Sequence, residues 1–407
     1  VHSRSAAHPL AEPPPRPRHI LFVFAWIVVG GEETEVRLLA RSLPRDRYRL
    51  AVVGCFRKEG MPTTSADQLR ALGVAVDETP YTLSYEDTVA YLAARIRRER
   101  PDVVVATQGV RDIIGAYDQL LPAERPPLIE HGGLVDEAAL TPKLHTARYI
   151  GVWDAITAAA AGRMDRADHA LTLPSMVDLA EFDPAQRPAV RAELGLTDAE
   201  IVVGWVGRFD PKKRVEDFVA AAQTAARARP DLRFVLIGGP DAFFPEYRAR
   251  LVAAATAALG SRVQFLGDRP DVPRLLSGLD ALVWLSQNEG MPHVIAEAGA
   301  AHLPVIATRD GGTPQQITDG VSGLFVPHSD PPAVAAALLR LAADPALRAR
   351  LGAALHAHVA HTYAVPVVVA AWEAVFAAVI RERAAGGLHR EGTQDAQVLG
   401  EGSSARY

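Results

Sequence analysis

The chain has 407 residues, enough for two domains at roughly 100–200 residues each. Hydrophobic residues make up 49% and charged residues 22%, an ordinary globular composition with ample material for a core. A net charge of −5 argues against broad nucleic-acid binding, which relies on concentrated positive surface, and the single cysteine, Cys55, excludes an internal disulfide or a cysteine zinc site.

One lone thiol fits a reducing compartment, so a cytoplasmic protein is the expectation. No apolar stretch approaches the roughly 20 residues needed to cross a bilayer. Residues 1–18 are rich in Pro, Ala, Arg and His and lack the apolar core of a signal peptide; they read as a disordered leader. From residue 19 short apolar runs alternate with amphipathic stretches. The pattern predicts strands over 20–29, 49–55, 74–77, 103–106, 128–131, 149–152 and 168–173, with helices over 33–43, 65–72, 85–100 and 158–166. After Pro184 and Pro188 it restarts: strands over 201–206, 233–237, 263–266, 281–285, 304–307 and 324–326 are separated by helices, and two helices over 345–361 and 366–384 follow. Strands alternating with helices imply parallel βαβ units. The expected fold is therefore α/β, two Rossmann-like doubly wound parallel sheets facing each other across a cleft. The expected divisions are a first domain over 19–185, a second over 186–365, a helix at 366–384 that can cross back to the first domain, and a disordered tail over 385–407.

Ligands of open α/β sheets bind at the carboxyl ends of the strands, so the residues just after each strand carry the functional reading. Gly30-Gly31 joins the first strand to its helix, where backbone N–H groups and the helix terminus can meet a phosphate. It lacks the Gly-x-Gly-x-x-Gly spacing of a nicotinamide site, which removes the main support for a dehydrogenase. His131, followed by Gly132-Gly133, can hydrogen-bond a sugar hydroxyl. Gly207-Arg208 and Lys213 follow the first strand of the second domain. Arg offers a fork of donors to phosphate oxygens and Lys a mobile point charge, so the pair can clamp a diphosphate. Lys212 and Arg214 are expected to face solvent. Glu289-Gly-Met-Pro-His-Val-Ile-Ala-Glu297 places one carboxylate in a strand-end loop and another in the following helix, where they can grip two sugar rings through paired hydroxyls. His356, His358 and His361 read as helix-end histidines facing solvent.

Taken together, these motifs resemble the family 4 glycosyltransferases, retaining enzymes of the GT-B fold. The likeness is firmest over residues 201–328, through Gly207-Arg208 with Lys213, Glu289 with Glu297, Asp310-Gly311-Gly312 and Asp319-Gly320 to Pro327. In the first domain it runs through Gly30-Gly31 with Glu33, His131-Gly132, and Leu173-Pro174-Ser-Met-Val177-Asp178. The resemblance implies that Arg208 and Lys213 bind the donor diphosphate, Glu297 the ribose and Glu289 the transferred sugar. It places His131 near the reacting face of the sugar, Gly30 and Gly31 near the phosphates or acceptor, and Gly290, Met291, Pro292, His293 and Val294 in the phosphate cradle. Three positions depart from the family pattern: Met291-Pro292 replaces Phe-Gly, Gln315 stands where Glu is usual, and Ser175-Met176 replaces Asn-Gly.

The implied reaction moves a sugar from a nucleoside diphosphate, UDP being the family's commonest, to an acceptor hydroxyl, with no obligatory metal or cofactor and no enzymic nucleophile. The implied partners are a nucleotide-sugar and either a soluble sugar or metabolite or a lipid-linked glycan. Arg95, Arg97, Arg98 and Arg100 suggest a peripheral contact with anionic lipid, against a plainer reading as a solvated helix end. The competing functions are an epimerase or synthase on the same scaffold and a catalytically inactive partner subunit.

Overall fold

A computed structural model describes residues 16–140 and 143–386 of the chain. Residues 20–24 and 103–107 are buried without interruption, the pattern of strands covered on both faces. Seven strands form one parallel sheet: β1 (Arg18–Phe24), β2 (Tyr48–Gly54), β3 (Ala75–Asp77), β4 (Val103–Thr107), β5 (Leu128–Gly132), β6 (Thr146–Gly151) and β7 (Ala170–Thr172), in the order β3-β2-β1-β4-β5-β6-β7. Six more form a second: β8 (Ile201–Val206), β9 (Leu232–Ile237), β10 (Val263–Gly267), β11 (Ala281–Trp284), β12 (Val305–Thr308) and β13 (Leu324–Val326), in the order β10-β9-β8-β11-β12-β13. The strand order reverses between β1 and β4, and again between β8 and β11. Neighbouring connections there leave for opposite faces, which opens a crevice at the strands' carboxyl ends.

Two chain segments pass between the domains, and they are tied together. Val177 N–H donates to Tyr363 O at 2.8 Å, and Val365 N–H donates to Val177 O at 3.0 Å. The closing helix (Val365–Ala384) carries Pro366 in its first turn, where the missing N–H costs nothing. It lays Val368, Trp372, Phe376 and Val379 against Ile20, Phe22 and Phe24 of the first sheet. The last described helix thus packs on the first domain.

Several local expectations change. The apolar run over 20–29 leaves the sheet at Phe24; Ile27 and Val28 are buried in a loop, so their hydrophobicity reflects packing and not pairing. Arg18, placed in the leader, is the first residue of β1 and pairs in register with Tyr48. Residues 1–15 and 387–407, in the expected leader and tail, lie outside the described residues. Helices Val110–Asp118 and Val135–Leu140 were not anticipated, and the helix expected at 158–166 spans Asp154–Ala161.

The basic helix end is largely neutralised. Arg95 is only 4% exposed and pairs with Asp77 at 2.6 Å and Glu99 at 3.1 Å; Arg97 pairs with Glu124 and Arg98 with Glu99. That cluster offers little free charge to a lipid surface. No described helix is long and apolar enough to cross a membrane. The histidines of the penultimate helix (Pro345–Thr362) also differ from expectation. His356 stacks on His302 with 3.7 Å between ring centroids and bonds to Gly299 O, and His358 bonds to Gln315 O at 2.8 Å; only His361 is exposed.

Candidate active site

The two switch points face each other, and backbone meets backbone between them. A Cβ on Gly290 would lie 2.3 Å from Gly133 O, and one on Gly31 would lie 2.8 Å from the His293 ring. Only glycine permits both approaches. Ser175 Oγ reaches Met291 O at 3.4 Å, and the Gln315 side chain bonds both the backbone and the carboxylate of Asp154. At the rim, Phe243 of the second domain meets Trp26 at 6.3 Å and the Lys58 ammonium at 4.6 Å from the first. The cleft is therefore closed.

On the second domain's wall, Lys213 follows β8 and Glu289 follows β11, one from each side of the crevice. Their side chains are each 11% exposed and form an ion pair at 2.5 Å. Ser286 Oγ also donates to Glu289, and the Glu289 N–H is fixed on Asp310 at 2.7 Å. Burial works to raise the Glu289 pKa, but Lys213 and Lys212 outweigh it and hold the carboxyl below its usual range. Burial pulls the Lys213 ammonium down, partly offset by Glu289; the Trp284 face, 4.5 Å away, lies under it. Arg208 is aimed by the buried carboxylate of Asp241, at 2.8 Å. Lys212 and Arg214, expected in solvent, are both half-buried, and Arg214 is held by Asp217 at 2.9 Å.

The helix His293–Ala300 puts His293 and Glu297 four residues apart, on one face. Burial, with Glu181 adding to it and Arg37 opposing it, pushes Glu297 up to about 7. His293 is pulled down to about 4 by burial and by Arg37. Glu289 and Glu297 thus serve separate corners: the first sits at the crevice with the cations, the second toward the first domain's opening helix (Gly31–Ser42). Met291, Pro292 and Val294 are buried around the start of the helix, where N–H groups collect.

On the first domain's wall, His131 at the end of β5 is 5% exposed and lies edge-on to Trp372 at 5.4 Å. Burial, then the charge of His293, pulls it down to about 4, so it is a neutral ring at ordinary pH. The opening helix adds three acids. Glu33 accepts from Val28 N–H at 2.9 Å, pinning the Gly30-Gly31 loop, and burial lifts it to about 7 against the nearby charge of Arg208. Glu35 accepts from Met176 N–H at 3.1 Å and Trp372 Nε1 at 3.3 Å, so one carboxyl ties together both segments that cross between the domains. Glu32 accepts from Thr107 Oγ1 at 2.6 Å across the β1–β4 crevice.

The structure therefore gathers Gly30, Gly31, His131, Gly207, Arg208, Lys213 and the 289–297 segment around one cleft. Sequence reasoning passed over Asp241, Ser286, Glu32 and Glu35. The signal available was the run of three acids inside an amphipathic helix whose apolar face must be buried.

Residues 186–356 match the sequence model of the family described as Glycosyl transferases group 1. Over 173 residues the chain is 38% identical to a D-inositol 3-phosphate glycosyltransferase of Mycolicibacterium gilvum, a match covering 42% of this chain and 38% of that protein. It is 33% identical over 199 residues to a GDP-mannose-dependent monoacylated alpha-(1-6)-phosphatidylinositol monomannoside mannosyltransferase of Corynebacterium glutamicum, covering 46% of this chain and 50% of that protein. The chain thus spans half or less of the length of these curated relatives. In three dimensions it resembles Anabaena HepE in complex with UDP and glucose, with a TM-score of 0.75 and 20% identity over 89% of this chain and 100% of that one. Sucrose-phosphate synthase from Thermosynechococcus elongatus gives a TM-score of 0.71 at 19% identity over 89% and 99%. At that identity the likeness establishes the GT-B fold.

Proposed function

Because the second domain belongs to the glycosyl transferases group 1 family and the chain has the GT-B fold, we propose that this protein is a family 4 glycosyltransferase. It would move a sugar from a nucleoside diphosphate to an acceptor hydroxyl with retained anomeric configuration. The observation that carries this reading is the closed cleft with Arg208, Lys213 and Glu289 around one switch point and Glu297 on the adjoining helix. As the bond to the diphosphate breaks, negative charge grows on the leaving oxygens and positive charge on the anomeric carbon. Lys213 and Arg208, fixed by Glu289 and Asp241, stabilise the first, and helix N–H groups near residue 293 add to them.

Glu297, raised to about 7 by burial and so only partly ionised at neutral pH, can both give and take hydrogen bonds with ribose hydroxyls. His131 faces the cleft as a neutral ring, suited to a hydrogen bond with a sugar hydroxyl. Domain closure excludes water, which would otherwise hydrolyse the donor. UDP is the donor base we favour, since HepE was crystallised with UDP and glucose. The mannosyltransferase relative is named as GDP-mannose-dependent, so the base must be measured.

Calorimetric titration of UDP, GDP and ADP into wild type and Glu297→Ala tests the reading. One nucleotide binding to wild type and weakening at least tenfold in the variant supports it. A folded protein that binds none of the three overturns it and favours an inactive partner subunit.

A further inference from the structure

Among the described residues no cation acts strongly on Glu32 or on Glu35, and of the two only Glu32 has like charges beside it; what steadies Glu32 is hydrogen bonding from Thr107 and Gln108. Glu33 has Arg208 nearby, and Glu137 has Lys143 and Lys212. The charges that act most strongly on Glu32 are those of Glu33 and Glu137, both of its own sign. Burial and that repulsion push it up to about 8. Keeping that carboxylate ionised in such surroundings is unfavourable unless a cation joins it.

Its position is well defined. Thr107 Oγ1 holds one oxygen at 2.6 Å, and a Cβ on Gly133 would lie 3.3 Å from the other, so the carboxyl spans from the end of β4 to the loop after β5. Thr107 and His131 are register partners on β4 and β5, so their side chains leave the sheet on the same face, toward the opening helix. His131 is nineteen-twentieths buried and has no hydrogen-bond partner among the described residues. A neutral imidazole offers one acceptor nitrogen there. Gln108 Oε1, in the next residue after Thr107, is buried and also unpartnered. Once ionised, Glu32 only accepts, as do the free imidazole nitrogen and the amide oxygen. Together they ask for a ligand rich in donors and positively charged.

We propose that Glu32 recognises the acceptor, and that the acceptor is a polyol bearing an ammonium group and not a phosphate. This rests on the nucleotide-sugar reading of the cleft, of which the β1–β4 crevice is the acceptor side. An ammonium seated between Glu32 and His131 replaces the missing cation and draws the carboxyl into its ionised form. A phosphate in the same place would face Glu32, Glu33 and Glu137. That sets this chain's acceptor apart from the inositol 3-phosphate in the relatives' names.

The test uses three hexoses differing in charge: glucosamine, glucose and glucose 6-phosphate. Their dissociation constants are measured by ligand-observed NMR at pH 7 on full-length protein saturated with whichever of UDP, GDP or ADP it binds. Wild type should bind glucosamine at least tenfold tighter than glucose, and glucose tighter than glucose 6-phosphate. The isosteric Glu32→Gln should lose the glucosamine preference while its affinity for glucose changes less than threefold. Equal binding of glucosamine and glucose, tighter binding of glucose 6-phosphate, a preference that survives Glu32→Gln, or no binding of any of the three overturns the proposal. Nucleotide titration of the same samples separates the two readings. Intact nucleotide binding with the wrong hexose order sinks the acceptor assignment alone, whereas no nucleotide binding sinks the donor assignment.

Discussion

The two walls of the cleft are built in different ways. On the second domain three polar groups each have a partner a few residues from another strand end of the same sheet: Lys213 with Glu289, Arg208 with Asp241, Glu289 N–H with Asp310. On the first domain the three acids ride on one helix, and two of them find partners far away in the chain. Glu35 bonds to Met176 and Trp372, and Glu32 bonds to Thr107. Under the proposed function, one wall is a set of cations that meets a fixed ligand feature, a diphosphate. The other is a set of carboxyls and acceptors, held partly protonated, that suits a variable ligand. The contrast teaches that the second domain's wall can be recognised from local spacing, while the first domain's wall depends on how the domain is packed.

The largest expected effect comes from breaking the cationic wall. Lys213→Ala should lower turnover by about 10²–10³, the scale for losing one stabiliser of a developing oxyanion. It should also lower Tm, because Glu289 is left buried without its cation. The double variant Lys213→Ala with Glu289→Gln should recover most of the Tm and none of the activity. Steady-state rates and thermal melts check both statements; a single variant with normal turnover would remove Lys213 from the mechanism.

Forcing the walls apart comes next. Gly290→Val puts a side chain where Gly133 O already sits and should hold the cleft open. Misplacement on the scale of 1 Å costs on the order of 100-fold in rate. Small-angle scattering should show a larger radius of gyration than wild type; an unchanged radius with unchanged activity would contradict closure through this contact.

Within the donor wall, Glu297→Ala should weaken the nucleotide roughly 10- to 100-fold, matching hydrogen bonds worth about 1.5–3 kcal/mol. Free phosphate or pyrophosphate, which carries no ribose, should inhibit wild type and variant equally. A parallel loss for pyrophosphate would place Glu297 at the phosphates instead.

The smallest effect belongs to the acceptor wall. Glu35→Gln should cost about 1 kcal/mol at pH 5 by exchanging one accepted hydrogen bond for a clash of donors. The cost should shrink by pH 8. Burial lifts folded Glu35 to about 7 from an ordinary 4.5, so the folded state holds a proton that the unfolded state has released. Wild-type stability from this group is present below pH 4.5 and is lost as pH rises through about 7, whereas Gln does not titrate. Denaturant melts at the two pH values read the difference; a deficit that grows with pH would reverse the assignment.

Much of this architecture is legible in the residues. The strand-end positions of Arg208, Lys213, Glu289 and His131 follow from apolar runs that stop just before them, since a buried strand can end only where polar groups find water or a ligand. The boundaries were less legible. Residues 25–29 are as apolar as a strand, yet they pack as a loop because Glu33 takes the Val28 N–H that a strand would use. Helix Val135–Leu140 was hidden by its shortness and by few buried positions. Arg95, read as surface charge, is buried because Asp77 and Glu99 reach it from another strand and its own helix.

By itself the sequence determined the period of its elements, hence two parallel α/β sheets, and the kinds of charge delivered to their carboxyl ends. Those properties are local: side-chain polarity and spacing set them before any long-range contact forms. Only the tertiary structure decided which carboxyls keep their protons. That depends on burial and on neighbours brought from elsewhere in the chain, as Glu32 near Glu137 and Glu297 beside Glu181 show.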